Sequence, residues 1–292
     1  MGEGKMLDRH FQQMIENRWS LGRFVCVGLD SDFMKIPGSV HQPGNCHNVL
    51  IGDVSVADTI IAFNREIVEA TCDLVCAYKL NSAFYETHGD VGIHALHRTV
   101  IDIHRIAPKV PVILDAKRAD IGNTNAGYVT AAFDWLGADA ITVHPYLGAE
   151  ALQPFLARAE KGVIVLCRTS NPGAGEFQDL SVNGEPLYRF VARRVASEWN
   201  KNGNCSLVVG ATYPDELRAV REIVGDMPIL IPGIGAQGGD VEKTVIAGKD
   251  SRAQGMIINS SRGIIFASQD ADFAKAARSE TQKLHDLINH YR

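Results

Sequence analysis

Eight short apolar runs recur along this chain, and each is followed by a segment with helical periodicity. The runs are FVCVGLD (24–30), LVCAYKL (74–80), VPVILDAK (110–117), DAITVHP (139–145), GVIVLCRT (162–169), CSLVVGAT (205–212), PILIPGIG (228–235) and GMIINSSR (255–262). The amphipathic segments are 58–71, 90–106, 124–136, 149–159, 187–201, 214–224, 239–247 and 272–290. Apolar runs without polar alternation belong to strands covered on both faces, which is the condition of a parallel sheet between helices. Eight such units within about 250 residues close into a (β/α)8 TIM barrel more readily than they spread into an open sheet. The 292 residues therefore read as one α/β domain, 1–292, with no linker to divide it. Segment 5–19 is an extra N-terminal helix, expected to plug the barrel floor. Two connections are long, 31–57 and 170–186. Both follow strands and so lie on the C-terminal face, where barrels build their sites.

The stretch VILDAKRADIGNT (112–124) places two acids and two bases at the mouth of a core strand. Residues two apart on a strand share a face. Asp115 and Lys117 are thus expected to point together into the barrel, with Lys79 ending the second strand and Asp30 the first. Charges of alternating sign would converge at one rim. A buried ion-pair network breaks even at best for stability, so its presence asks for a chemical reason. A preorganised charge array suits a reaction whose transition state carries localised negative charge. No histidine or cysteine sits at its centre, which argues against a nucleophilic triad. Carboxylates beside Lys79 and Lys117 keep both lysines protonated, which argues against a Schiff base and for a proton donor. Arg118 alternates outward and reads as packing or a surface ion pair. Asp120 lies past the strand, where a helix cap and a functional role are equally open.

The opposite side of the same mouth points to an anion. PGIGAQGGD (232–240) and NSSRG (259–263) follow strands seven and eight, where barrels commonly hold phosphate. Glycines let backbone N–H groups approach anionic oxygens, and Arg262 can grip them with its fork.

Composition removes other classes. The net charge is −5 with scattered basic residues, so there is no footprint for nucleic acid or an anionic membrane. No apolar run is long enough to span a bilayer, and the first twenty residues lack a secretory pattern. Most of the six cysteines lie in apolar runs as small core residues. Cys72 and Cys76 lack a second ligand pair, and His41, Cys46 and His47 sit in a Gly/Pro/Asn loop, so no metal site is expected. The expectation is a reduced, cytoplasmic protein. His144 could line a pocket; no histidine is given a catalytic role.

Taken in order, these motifs resemble the orotidine 5′-phosphate decarboxylase family. GLDSD (28–32), YKLNSAFYE (78–86), LDAKRADIGNT (114–124), TSNPGAG (169–175), PGIGAQGGD and NSSRG follow the family's strand ends over roughly 22–267. The long loops resemble its longer second type. The resemblance implies cofactor-free removal of CO2 from carbon 6 of orotidine 5′-phosphate, the last step of UMP synthesis. It implies a lysine–aspartate array of Lys79, Asp115, Lys117 and Asp120, with Lys117 protonating carbon 6 and Asp115 beside the substrate carboxylate. Lys79 would orient Asp115 and touch the ribose, and Asp30 would bind a ribose hydroxyl. Ser170 would meet the pyrimidine edge, Gln237 would bridge base and phosphate, and Gly233, Gly235 and Arg262 would hold the phosphate. Asp120 and Thr124 would reach the other subunit's site in a homodimer. Two readings compete. A related Mg²⁺-dependent sugar-phosphate decarboxylase, acting on 3-keto-gulonate 6-phosphate, shares Asp-x-Lys-x-x-Asp but has an acid at strand two. A non-catalytic nucleotide-binding barrel would have no need of both lysines.

Overall fold

The computed structural model describes residues 9–43, 50–51, 54–234 and 239–292. Eight strands form a closed, all-parallel barrel: β1 (Val25–Gly28), β2 (Val75–Asn81), β3 (Val112–Arg118), β4 (Ala140–Val143), β5 (Gly162–Arg168), β6 (Cys205–Val209), β7 (Ile229–Pro232) and β8 (Met256–Ser260). The ring closes where β1 meets β8, with Val25 opposite Ile258 and Val27 opposite Ser260. Nearly every strand residue is buried, which is why these segments read as unbroken apolar runs. Each expected strand is present, and the expected single barrel is the fold.

Helices cover the outside. Val56–Thr71 starts at Ser55, whose hydroxyl accepts from the Asp58 N–H, and Val241–Gly248 starts at Asp240 in the same manner. Both long connections carry structure of their own. The first holds 3-10 turns at Phe33–Lys35 and Gly38–Val40, and its helix begins at Val56, inside the expected 31–57 loop. The second holds a turn at Pro172–Ala174, a helical turn at Gly175–Gln178 and a two-stranded ribbon, 181–182 with 185–186.

The extra helix spans Phe11–Ser20, a correction to the expected 5–19. His10 is extended because Arg9 is drawn away, its guanidinium bonded to Asp139 and to the Pro108 and Val110 carbonyls. Residues 5–8 lie outside the described residues. The helix does cover the floor. Trp19 donates to the Met256 carbonyl at the start of β8, Arg18 to Val75 at the start of β2, and Phe11 packs against Gly162 at the start of β5. Among the described residues the N-terminal end of the barrel is thereby covered, and the C-terminal mouth is open.

Candidate active site

The charged rim comes together as a compact array. Lys79 donates to Asp115 Oδ2 at 3.0 Å and lies 3.5 Å from Asp30 Oδ1. The Lys117 ammonium donates to Asp115 Oδ1 at 2.7 Å. Burial works against the Asp115 charge, but Lys79 and Lys117 outweigh it and hold this carboxyl well below the usual carboxylate range. Burial also opposes the Lys79 charge, and Asp115 and Asp30 overturn that, raising it above an ordinary lysine. Asp115 and Lys79 are therefore held charged at neutral pH by their neighbours.

Simple alternation is not what brings Lys117 inward. The β3–β4 ladder is irregular between Leu114 and Arg118, and Lys117 has φ +48°, a left-handed conformation unusual for a residue with a side chain. Thr142 on β4 bridges the gap. Its hydroxyl accepts from the Lys117 N–H at 2.9 Å and donates to Asp115 Oδ1 at 2.8 Å. The backbone bulge and one buried threonine thus set the relation of acid to base. Arg118 points away, as expected, bonding Glu86 at 2.5 Å and lying over the Tyr128 ring.

A cavity of about 540 Å³ opens at this rim, large enough for a nucleotide. Asp30, Lys79, Asp115 and Lys117 form one wall, and Gly233, Ser260, Ser261 and Arg262 another. Ser170 and Thr169 line a third side, with Leu166, Val208 and Leu230 beneath. The Ser261 hydroxyl donates to the Gly28 carbonyl at 2.9 Å, tying β8's exit to β1 and setting where Arg262 stands. Gly235 and Gln237 lie outside the described residues.

Asp120 and Thr124 do not line this cavity. Asp120 Oδ1 accepts from the Ile121 N–H at 2.7 Å, and Thr124 is exposed on the following helix, Gly122–Val129. The helix has no side-chain cap, so the capping alternative for Asp120 does not hold. His144 lines a neighbouring groove with Tyr146 and Phe177 rather than the cavity. Among the described residues, no group of three or more His, Cys, Asp or Glu side chains is placed to hold a metal.

Residue patterns missed several cavity partners. Thr142 looks like any polar residue in a β4 run, and only the cross-strand register marks it. Asn81, Asn171, Gln178 and Asn259 also line the site or its loops. Their sequence signal is no more than a polar residue near a strand end.

Comparison with known proteins decides the family. Residues 24–277 match the orotidine 5′-phosphate decarboxylase / HUMPS family. An orotidine 5′-phosphate decarboxylase from Ralstonia nicotianae is 48% identical over 97% of this chain and 99% of its own. The chain belongs to the orotidine 5′-phosphate decarboxylase family. Solved structures agree with that membership. The OMP decarboxylase of Leishmania donovani superposes with a TM-score of 0.79 at 35% identity, covering 96% of this chain and 98% of the other. The UMP synthase of the same organism superposes with a TM-score of 0.83 at 37% identity over 97% of this chain; the chain spans 56% of that longer protein. Family membership and the cavity point to the same chemistry, that of a carboxy-lyase.

Proposed function

We propose that this chain decarboxylates orotidine 5′-phosphate to uridine 5′-phosphate without a cofactor, using Lys117 as the proton donor. The observation that carries this reading is the Lys79–Asp115–Lys117 array, which shares one cavity with Arg262, Gly233 and Ser170. Phosphate bound at Gly233 and Arg262 would place the base between Ser170 and the array. The substrate carboxylate then lies beside Asp115, a like-charge contact that eases as CO2 departs. The C6–carboxylate bond breaks and its electron pair remains on carbon 6. The Lys117 ammonium stabilises that charge, gives its proton to carbon 6, and is reprotonated from solvent. Asp30 and Lys79 would hold the ribose, Gly235 would join the phosphate half, and Gln237 would bridge phosphate and base.

The Mg²⁺-dependent alternative is not favoured. Its metal would have to share the strand-two position with the Lys79 ammonium, which is held there between Asp30 and Asp115. A non-catalytic nucleotide-binding barrel has no use for two lysines clamping one buried aspartate.

We also infer a homodimer in which Asp120 and Thr124 complete the partner's site. Asp120 and Thr124 fall beside exposed apolar side chains, Ile121 at 60% and, in the adjacent loop, Tyr146 at 90%. Large exposed apolar groups around polar ones suit a self-contact. A cytoplasmic location is supported by five described cysteines that are all free thiols, and no described helix is long and apolar enough to cross a membrane.

The test is loss of absorbance with orotidine 5′-phosphate, using protein dialysed against EDTA. Turnover should persist. Lys117→Ala should lower kcat by roughly 10³-fold or more while the affinity for uridine 5′-phosphate changes only a few-fold. Activity lost on chelation, or equal losses of binding and turnover, would contradict the reading.

A further inference from the structure

Ser170 lies on a loop, yet its surroundings are built with unusual care. Arg168 ends β5 with its side chain only 4% exposed. Its guanidinium stacks on Tyr213, 4.2 Å from the ring centroid. One terminal nitrogen donates to the Thr169 carbonyl at 3.2 Å and the other to Asp179 Oδ2 at 3.1 Å. Its Nε is 3.1 Å from the other Asp179 oxygen, though off the line of a hydrogen bond. Asp179 follows the helical turn Gly175–Gln178, so this one ion pair spans the first half of the 170–186 connection, the part that carries Ser170. Just inside it, Gln178 accepts from the Thr169 N–H and donates to the Thr169 hydroxyl, both at 2.9 Å.

A third restraint comes from behind. Gly210, where β6 ends, donates its N–H to the Arg168 carbonyl at 2.8 Å. A Cβ at Gly210 would lie 2.6 Å from Ser170 Cβ and 2.9 Å from Ser170 Cα and N, so only glycine allows this approach. The Ser170 backbone is therefore pressed against β6, and its loop is closed by a buried cation.

For stability alone the arrangement makes little sense. A buried guanidinium paired with a half-exposed carboxylate gains little over an apolar side chain of similar size. What a stacked arginine that divides its two terminal nitrogens between Thr169 and Asp179 supplies is geometry, since its plane fixes the direction of both partners.

We propose that Arg168, working with Asp179 and Tyr213, is a positioning residue that fixes Ser170 against the base of the bound nucleotide. The proposal rests on the decarboxylase reading for the identity of that base. The 170–186 connection thereby serves recognition of the heterocycle, separate from the grip on phosphate at Gly233 and Arg262.

The separation supplies the experiment. On the decarboxylase reading, uridine 5′-phosphate would touch both halves of the cavity, whereas ribose 5-phosphate would touch only the sugar and phosphate half. Arg168→Met keeps the bulk and removes the fork. Its affinity for uridine 5′-phosphate should fall by about 10-fold or more, with kcat/KM for orotidine 5′-phosphate falling in parallel. Its affinity for ribose 5-phosphate should stay within about 2-fold of wild type, a base-to-phosphate split that a folding defect does not produce. Asp179→Asn, at the exposed end of the pair, should show the same split to a smaller extent and guards against misfolding of the first variant. Arg168→Lys should fail to rescue, because an ammonium has no fork. Equal weakening of both ligands, or of neither, overturns the proposal. Should wild type prove inactive on orotidine 5′-phosphate, the decarboxylase reading falls while the anchor is still read by chymotryptic cleavage at exposed Phe177. Faster cleavage in Arg168→Met supports the anchor, and an unchanged rate overturns it.

Discussion

Lys117 carries its functional group on a backbone that most side chains avoid. Its φ of +48° costs on the order of 1–3 kcal/mol, which surrounding contacts must hold in place. Thr142 is the contact that does so, since its hydroxyl both receives the Lys117 N–H and donates to Asp115. Thr142→Val keeps the shape and leaves a part-buried N–H and a buried carboxylate oxygen each short of a partner, at about 1–3 kcal/mol. We expect kcat to fall by roughly 10- to 100-fold with KM much less changed; full activity in this variant would show that Lys117 is positioned without Thr142. Charge state gives a second expectation. The Asp115 value is lowered on folding, so its stabilisation is present above the ordinary aspartate value and lost as pH falls through the lower folded one. The Lys79 value is raised, so its stabilisation is present below the ordinary lysine value and lost as pH rises through the higher folded one. Neither group changes charge between about pH 4 and 10. A profile of kcat against pH should therefore show no titration in that window that Asp115→Asn or Lys79→Met removes.

At the level of elements, periodicity was a good guide wherever one face of a segment decides its burial. All eight apolar runs are strands, and all eight amphipathic segments hold helices, because burial against a shared core enforces the repeat. Periodicity misled where a single long-range contact decides. Arg9 reaches Asp139, 130 positions away, and the N-terminal helix starts two residues later, at Phe11, whose N–H bonds the Glu160 carbonyl. The same helix shows what closes the floor. Gly162 has no side chain because Phe11 stands there, and a Cβ would also lie 2.8 Å from that of Ala140. Gly162→Ala should destabilise the barrel by about 1–3 kcal/mol through overpacking, read as a lower Tm. Activity per folded molecule should be unchanged, since the active cavity lies at the opposite end; a fall in kcat at equal folded fraction would show the two ends to be coupled. Phe11→Ala should cost about 3–5 kcal/mol by itself, and the two changes together should cost less than their sum.

For the whole molecule, the division of labour is along the barrel axis, with a sealed floor and a charged mouth. The dimer proposal belongs to this scale and has a sharp test. Lys117→Ala and Asp120→Asn chains should each be nearly inactive alone. If Asp120 serves the partner's site, random exchange of equal amounts yields one intact site in half of the dimers, or about a quarter of the wild-type activity. No recovery on mixing would place Asp120 in its own chain's site or outside catalysis. The residues Asp115, Lys117, Lys79 and Arg262 could be read from the chain because strand ends in a barrel always meet at one mouth, whatever the loops do. Eight apolar runs determined that mouth, and so the class of fold and the residues that gather there. Only the tertiary structure decided the bulge at Lys117, the Thr142 bridge and the Arg168–Asp179–Tyr213 anchor. Each depends on groups from different strands or loops meeting within hydrogen-bonding or stacking distance, and no local pattern along a single chain encodes a distance.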